Sequence, residues 1–194
     1  MTTPAERIVA LLRERGETVG TAESLTGGLV CASIVDVPGA SAVVRGGIVA
    51  YAVDVKESAL GVPAELLARH GAVSAECAVA MAQGALRTLG ADWALATTGV
   101  AGPGPAVDER SGGVDEAGTV HLAVVGEHAR SHRTLHLHGS RAEVRAAASR
   151  EAQELLIDTL AAGLSVPTGN VVDPMENGST ERVRAARQTG CEGS

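Results

Sequence analysis

The stretch TAESLTGGLV, residues 21–30, lies between an apolar run that is typical of a strand and one that is typical of a helix. A strand that ends in small polar residues and leads into a helix is the repeating unit of α/β folds, whose ligands bind beyond the carboxyl ends of the strands. An ordinary joint of this kind needs one turn residue and one helix cap. Within ESLTGG, the crowding of two hydroxyls, Ser24 and Thr26, and two glycines leaves two interpretations open, a capped helix or a cradle for an anionic ligand.

On both sides of this stretch, patterns typical of helices and of strands alternate along the chain. Helices are predicted at 4–16, 63–71, 74–90 and 140–163, with one more that begins at the glycines at 27 and 28 and stops near Pro38 and Gly39, and with a short helical turn at 53–62. Strands are predicted at 17–24, 42–52, 93–98, 117–126 and 129–139. Alternation with one terminal hairpin predicts an α/β fold, a three-layer α/β/α sandwich with a mixed, mostly parallel central sheet. Residues 1–164 are predicted to form this domain. Residues 165–194, rich in Pro, Gly, Asn and Ser, are predicted to be a mobile tail.

Composition and charge narrow the class of protein. Apolar residues make up 45% of the chain but aromatic residues only 1%, so the core is expected to consist of Ala, Val, Leu and Ile. A net charge of −7 argues against a nucleic-acid partner. No apolar run reaches the roughly 20 residues that span a bilayer, and the charged N-terminus does not resemble a signal peptide, which predicts a cytoplasmic protein without membrane contact. The three cysteines are odd in number and lack metal-binding spacing, so reduced thiols are expected.

The only lysine and the only tyrosine of the chain, Lys56 and Tyr51, lie five residues apart. A serine hydroxyl needs a base to become a nucleophile, and a lysine serves when burial lowers its pKa. The six histidines lie at a helix end or on and near the hairpin strands, where a structural role is more common. We therefore predict that Ser24 is a nucleophile, Lys56 its base and Tyr51 a proton relay; the alternative is a compositional accident.

Three loops and one helix start supply candidate binding groups. The loops AESLTGG, RGGIVAYAVDVK and TTGVAGPG each bring small or polar residues to a strand end, and SRAEVR places two arginines four apart on one helical face. A flexible glycine loop and a solvated helix face are the structural alternatives. The predicted substrate-binding residues are Glu23, Thr26, Gly27, Gly28, Gly46, Gly47, Thr98, Gly99, Gly102, Arg141 and Arg145.

Six segments carry a resemblance to a known family: TAESLTGGLV, RGGIVAYAVDVKESALGV, GAVSAECAVAMAQGAL, ALATTGVAGPG, GTVHLAV and HGSRAEVRAAA. In this order, over about residues 5–163, the chain resembles the CinA C-terminal family, the nicotinamide-nucleotide amidohydrolases. The resemblance implies the three-layer fold and hydrolysis of nicotinamide mononucleotide to nicotinate mononucleotide and ammonia, without metal or cofactor. It also implies catalysis by Ser24, Tyr51 and Lys56.

Further roles follow from the same resemblance. Thr98, Gly99 and Gly102 match the family's third loop, and Arg145 matches the arginine of its closing helix. Backbone N–H groups of Gly27–Gly28 or Gly99–Gly102 would hold the oxyanion, and Arg141 or Arg145 the 5′-phosphate.

The chain departs from the family pattern in the loop at 105–117, which is long and acidic. Asp115 and Glu116 stand where a basic residue is usual, and the asparagine common between the tyrosine and the lysine is missing. These departures favour a second hypothesis, an amidase for a different small carboxamide. A third hypothesis is a non-catalytic nucleotide-binding or regulatory module. Small α/β enzymes of this kind are often homodimers, so a homodimer is the expected assembly.

Overall fold

A computed structural model describes residues 2–108 and 110–163, so the predicted tail at 165–194 lies outside the described residues. The helices are α1 (Pro4–Arg15), α2 (Leu29–Val35), α3 (Val53–Leu60), α4 (Ala64–His70), α5 (Ala75–Leu89) and α6 (Arg141–Gly163), with a 3₁₀ helix at Ala40–Ala42. The strands are β1 (Val19–Glu23), β2 (Val44–Val49), β3 (Trp93–Gly99), β4 (Ala106–Val107), β5 (Val114–Asp115), β6 (Thr119–Gly126) and β7 (Arg130–His136).

Five strands form the central sheet in the order β2-β1-β3-β6-β7. Strand β1 pairs in parallel with both β2 and β3, whereas β6 pairs antiparallel with both β3 and β7. Four strands therefore run in one direction and β6 alone runs against them. The carboxyl ends of β1, β2 and β3 lie side by side at one edge of the sheet.

The two faces of the sheet are covered by different helices. Buried residues of α1, α2 and α6 form one core with Leu95 of β3 and Leu122 of β6. Those of α3 and α5 and Leu67 of α4 form the other core, against Ala94 and Ala96. This arrangement confirms the three-layer sandwich with a mixed, mostly parallel sheet that the alternating pattern predicts. None of the described helices combines the length and apolar character that crossing a membrane requires.

The glycine at position 84 in α5 positions the helix that carries Lys56. A Cβ at Gly84 would overlap the backbone carbonyl of Leu60, the last residue of α3. Only glycine therefore lets α3 pack this closely on α5. The close packing helps to bury the lysine that the sequence marks as a base.

Two local features differ from the sequence prediction. Helix α2 begins at Leu29, later than expected, because Gly27 and Gly28 adopt left-handed conformations with φ of 61° and 96°. The acidic loop contains a small antiparallel hairpin, β4–β5, in which Ala106 pairs with Asp115. Periodicity over two-residue strands is too short to be read from sequence.

Candidate active site

A cavity of about 220 Å³ opens at the carboxyl ends of the parallel strands. It brings together six of the predicted site residues: Ser24, Tyr51, Lys56, Thr98, Gly99 and Arg141. Its apolar walls include Leu25, Val53, Val73 and Ala106. A larger groove of about 500 Å³ between α1, α2 and α6 contains none of the predicted residues. The smaller cavity is therefore the candidate active site.

Lys56 is buried at the cavity, with 1% of its surface exposed. Its Nζ donates a hydrogen bond to the backbone oxygen of Ala50 at 2.8 Å. Burial removes solvent from the ammonium group and lowers the pKa of Lys56 from 10.5 to about 8, while the neighbouring Cys77 acts weakly in the opposite direction. A lysine in this state is partly neutral near pH 8 and can accept a proton.

Ser24 follows β1 directly, and its backbone N–H donates to the oxygen of Thr97 on β3 at 2.9 Å. The side chain lines the cavity, and its Oγ makes no hydrogen bond within the part of the chain that the structure describes. Ser24 and Lys56 face the same cavity without a direct hydrogen bond between Oγ and Nζ. Catalytic hydrogen bonds are often long before substrate binds, so this geometry is compatible with a nucleophile and its base.

Arg141, the first residue of α6, links two loops at the cavity mouth. Its Nη2 donates to the Tyr51 hydroxyl at 2.8 Å, and its Nη1 donates to the Gly102 oxygen at 2.9 Å. Tyr51 is 59% exposed, so the pair lies at the rim and not at the cavity floor. The rim thus combines a guanidinium group with a phenol, a pairing suited to an anion.

Glu23 lies outside the cavity, contrary to its predicted role as a substrate ligand. Its buried carboxylate accepts hydrogen bonds from the backbone N–H groups of Gly28, Val30 and Cys31 at 2.9, 3.0 and 2.8 Å, and from the Thr21 hydroxyl at 3.2 Å. The start of α2 is therefore filled by the chain's own carboxylate. The backbone N–H groups that could have bound an anionic ligand here already donate to Glu23. We therefore assign Glu23 to stabilising the turn.

Arg145 also serves the turn after β1. Its Nε donates to the Leu25 oxygen at 2.9 Å and its Nη2 to the Thr26 oxygen at 2.7 Å. The Thr26 hydroxyl is buried against the hydroxyl of Thr97 at 2.7 Å. Because these groups are engaged within the protein, we assign Arg145 and Thr26 to the turn, and Arg141 is the arginine that faces the cavity.

Of the predicted glycines, four have structural roles in the turn or in β2, and Gly99 lines the cavity. The N–H groups of Gly27 and Gly28 are used by Ser24 and Glu23, and neither residue lines the cavity. Gly46 and Gly47 lie within β2; a Cβ on Gly47 would approach Cys31 of α2 to 2.9 Å, so this glycine serves helix packing. Gly99 lines the cavity.

Thr98 and Gly102 complete the third loop. The Thr98 hydroxyl lines the cavity and donates to the Ala72 oxygen at 2.6 Å. Gly102 is placed at the rim by its bond to Arg141. This loop therefore forms one wall of the cavity.

Sequence reasoning missed the way the acidic loop is anchored beside the site. The Asp108 carboxylate accepts from the Ala72 N–H at 2.7 Å, and Arg110 forms an ion pair with Glu57, the neighbour of Lys56. Ala106 of the same loop lines the cavity. The acidic composition of the loop was visible in the sequence. The residues that anchor the loop, Ala72 and Glu57, are distant from it in sequence and could not be predicted.

No group of three or more His, Cys, Asp or Glu side chains is arranged to hold a metal ion within residues 2–108 and 110–163.

The fold and the site define a class: a three-layer α/β/α protein with a serine and a buried lysine at the carboxyl ends of its parallel strands. The family model for the CinA C-terminal domain matches residues 1–160. The chain therefore belongs to the CinA C-terminal domain family.

Similar proteins agree with this assignment. A CinA-like protein of Anaeromyxobacter sp. (strain K) is 51% identical over 153 residues, covering 78% of this chain and 36% of the relative. A CinA-like protein of Frankia casuarinae is 47% identical over 154 residues, covering 79% and 34%. The chain thus spans about a third of the length of the curated relatives it matches.

Solved structures show the same fold. The competence/damage inducible protein CihA from Agrobacterium tumefaciens is 39% identical with a TM-score of 0.74, covering 80% of this chain and 93% of that one. A CinA superfamily protein from Klebsiella pneumoniae is 34% identical with a TM-score of 0.75, covering 82% and 96%.

Proposed function

We propose that this protein is an amidohydrolase that converts nicotinamide mononucleotide to nicotinate mononucleotide and ammonia. The observation that carries the proposal is the buried Lys56, with its lowered pKa, in one cavity with the unbonded hydroxyl of Ser24. Membership of the CinA C-terminal domain family supports the same reaction through the resemblance described above.

In the proposed mechanism, neutral Lys56 removes the proton from Ser24 Oγ as this oxygen attacks the carboxamide carbon. The tetrahedral intermediate collapses, the C–N bond breaks, and ammonia leaves with the proton of the Lys56 ammonium, passed directly or through the Tyr51 hydroxyl, so that Lys56 is neutral again. Water then attacks the acyl-serine, with Lys56 as base, and releases the carboxylate product. The reaction consumes one water and needs no external oxidant or metal.

The size of the cavity favours partial enclosure of the substrate. Pockets that enclose drug-sized ligands begin at roughly 300 Å³, whereas this cavity measures about 220 Å³. We propose that the pyridine ring and its carboxamide enter the cavity, while ribose and phosphate extend past its mouth. Arg141 at the rim then receives the phosphate.

The direct test is ammonia release from nicotinamide mononucleotide by the wild type and by Ser24→Ala, with Ser58→Ala on the exposed face of α3 as the matched control. We expect release by the wild type and Ser58→Ala, and a loss of at least about 10³-fold for Ser24→Ala. Ammonia release by Ser24→Ala at the wild-type rate would show that Ser24 is not the nucleophile. An inactive wild type would reject the reaction.

Replacing Arg141 with alanine is expected to raise KM for nicotinamide mononucleotide more than it lowers kcat. A charge-assisted contact to phosphate contributes about 1.5–3 kcal/mol, which corresponds to roughly 10- to 100-fold in binding. Steady-state kinetics with nicotinamide riboside, which lacks the phosphate, provide the control, because its KM should change little. Equal effects on both substrates would contradict a phosphate contact.

The acidic hairpin supports a second candidate, an amidase for another small carboxamide. Ala106 lines the cavity, and Asp115 lies directly opposite it in the hairpin. Directly paired residues of an antiparallel ladder share a face, so a carboxylate stands next to the cavity wall. Faster ammonia release from a carboxamide without phosphate than from the mononucleotide would favour this candidate. Binding of the mononucleotide without turnover would favour a non-catalytic nucleotide-binding module.

A further inference from the structure

The turn that follows Ser24 carries two backbone donors without acceptors. Leu25 and Thr26 are 3% and 0% exposed, and neither N–H meets an acceptor within the described ranges 2–108 and 110–163. Buried backbone N–H groups are nearly always paired, because an unpaired one loses its hydration without compensation. Of these two residues only Leu25 lines the cavity beside Ser24, so its N–H is the donor that can meet an acceptor arriving with the substrate.

The contacts of the neighbouring carbonyls determine where these N–H groups point. In a trans peptide unit the C=O and the N–H point in opposite directions. The Ser24 oxygen accepts from Gly27 N at 3.0 Å inside the turn, so the N–H of Leu25 points out of the turn. The Leu25 oxygen accepts from Arg145 Nε at 2.9 Å, so the N–H of Thr26 points away from the Arg145 guanidinium.

Gly27 and Gly28, two of the neighbouring donors that the sequence suggested, are already used, whereas the N–H groups of Ala101 and Gly102 have no acceptor within residues 2–108 and 110–163. Gly27 N donates to the Ser24 oxygen and Gly28 N to the Glu23 carboxylate. In the third loop, Val100 N donates to the Thr119 oxygen. The Gly27–Gly28 pair is therefore unavailable to an oxyanion, whereas Leu25 lines the cavity beside Ser24.

We propose that the N–H group of Leu25 is a donor of the oxyanion hole of the Ser24 amidase, oriented by the hydrogen bond from Gly27 N to the Ser24 oxygen of the same peptide unit. The assignment rests on the proposed function. As Ser24 Oγ attacks the carboxamide, negative charge develops on the carbonyl oxygen, and preorganised backbone donors stabilise that charge without reorganisation. A donor on the residue after the nucleophile serves the same purpose in α/β-hydrolases.

The test removes one N–H and keeps the turn. Proline has no N–H and is favoured at the second position of a β-turn, which Leu25 occupies in the turn from Ser24 to Gly27. We expect Leu25→Pro to lower kcat for nicotinamide mononucleotide by about 10²–10³-fold with little change in KM. Leu25→Ala, which trims the cavity-lining side chain and retains the N–H, measures the contribution of the side chain alone, and we expect its loss of kcat to be smaller than that of Leu25→Pro.

A spectroscopic measurement covers the case in which Leu25→Pro does not fold. Pyridine-3-boronic acid should form a tetrahedral adduct with Ser24 Oγ in the ¹⁵N-labelled wild type and not in Ser24→Ala. The amide proton of Leu25 should then shift downfield, while those of Gly27 and Gly28 stay in place.

Three outcomes would overturn the assignment. Folded Leu25→Pro with wild-type kcat, or downfield shifts at Ala101 and Gly102 instead, would reject this oxyanion hole while leaving the amidase intact. A wild type that neither releases ammonia nor forms the adduct would reject the proposed function together with the assignment.

Discussion

Replacing Lys56 with methionine is expected to abolish ammonia release and, at pH 7, to stabilise the protein by about 2 kcal/mol. Folding lowers the pKa of Lys56 from 10.5 to about 8, and each pKa unit corresponds to about 1.4 kcal/mol. The buried ammonium therefore costs the folded state about 3 kcal/mol. Methionine has a similar volume and no charge, but it forfeits the hydrogen bond to Ala50, which offsets about 1 kcal/mol of the gain.

The stabilisation should depend on pH in a defined direction. Because the folded pKa of Lys56 lies below the unfolded one, the unfolded state binds more protons between pH 8 and 10.5. The free energy of unfolding of the wild type therefore rises with pH through this window relative to the variant. The advantage of Lys56→Met is full below pH 8 and lost above 10.5.

Urea denaturation of the wild type and Lys56→Met at pH 7, 8.5 and 10 would measure this difference. Arg150→Met, at an exposed position of α6, is the control and should change the free energy of unfolding by less than about 0.5 kcal/mol. A constant destabilisation of Lys56→Met across the pH range would contradict the account, because a lost packing contact does not titrate.

Replacing Glu23 with glutamine is expected to lower the free energy of unfolding by about 2–4 kcal/mol and to reduce kcat. Both carboxylate oxygens accept two hydrogen bonds, from three backbone N–H groups and one hydroxyl. An amide has one oxygen, and its NH₂ group would face donors at the start of α2. Buried donors left unpaired cost about 1–3 kcal/mol each, and the turn that carries Ser24 would lose its support.

Denaturation curves and kcat for Glu23→Gln, compared with Glu14→Gln on the exposed face of α1, would test this role. The control makes the same chemical change outside the site and should leave both quantities near the wild-type values. If Glu23→Gln kept its stability and instead raised KM strongly, the carboxylate would act on the substrate and not on the turn.

The order of helices and strands follows from local sequence. The helix at Pro4–Arg15 begins at a Thr3 cap and ends at Gly16 in the left-handed conformation, both of which are visible in the chain. The sole lysine and sole tyrosine marked a site because their rarity is a property of composition. The hairpin β4–β5 was not predicted, because its strands have two residues each and its loop is held by contacts with Ala72 and Glu57, which are distant in sequence.

Arg141 and Arg145 show what only tertiary structure decides. They lie four residues apart on one helical face, and this spacing alone offers no reason to give them different tasks. The fold places Arg145 against the carbonyls of a turn 119 and 120 residues away, and Arg141 at the rim beside Tyr51.

The same contrast between local pattern and tertiary contacts applies to the other residues of the site. The fold class and the chemical groups of the site could be predicted from the sequence, because periodicity, helix caps and residue types act over a few neighbouring residues. The tertiary structure decided which groups remain free for a ligand: Glu23, Thr26 and Arg145 are engaged within the protein, whereas Ser24 and Lys56 face the cavity. Hydrogen-bond partners from distant segments make that choice, and no local pattern records them.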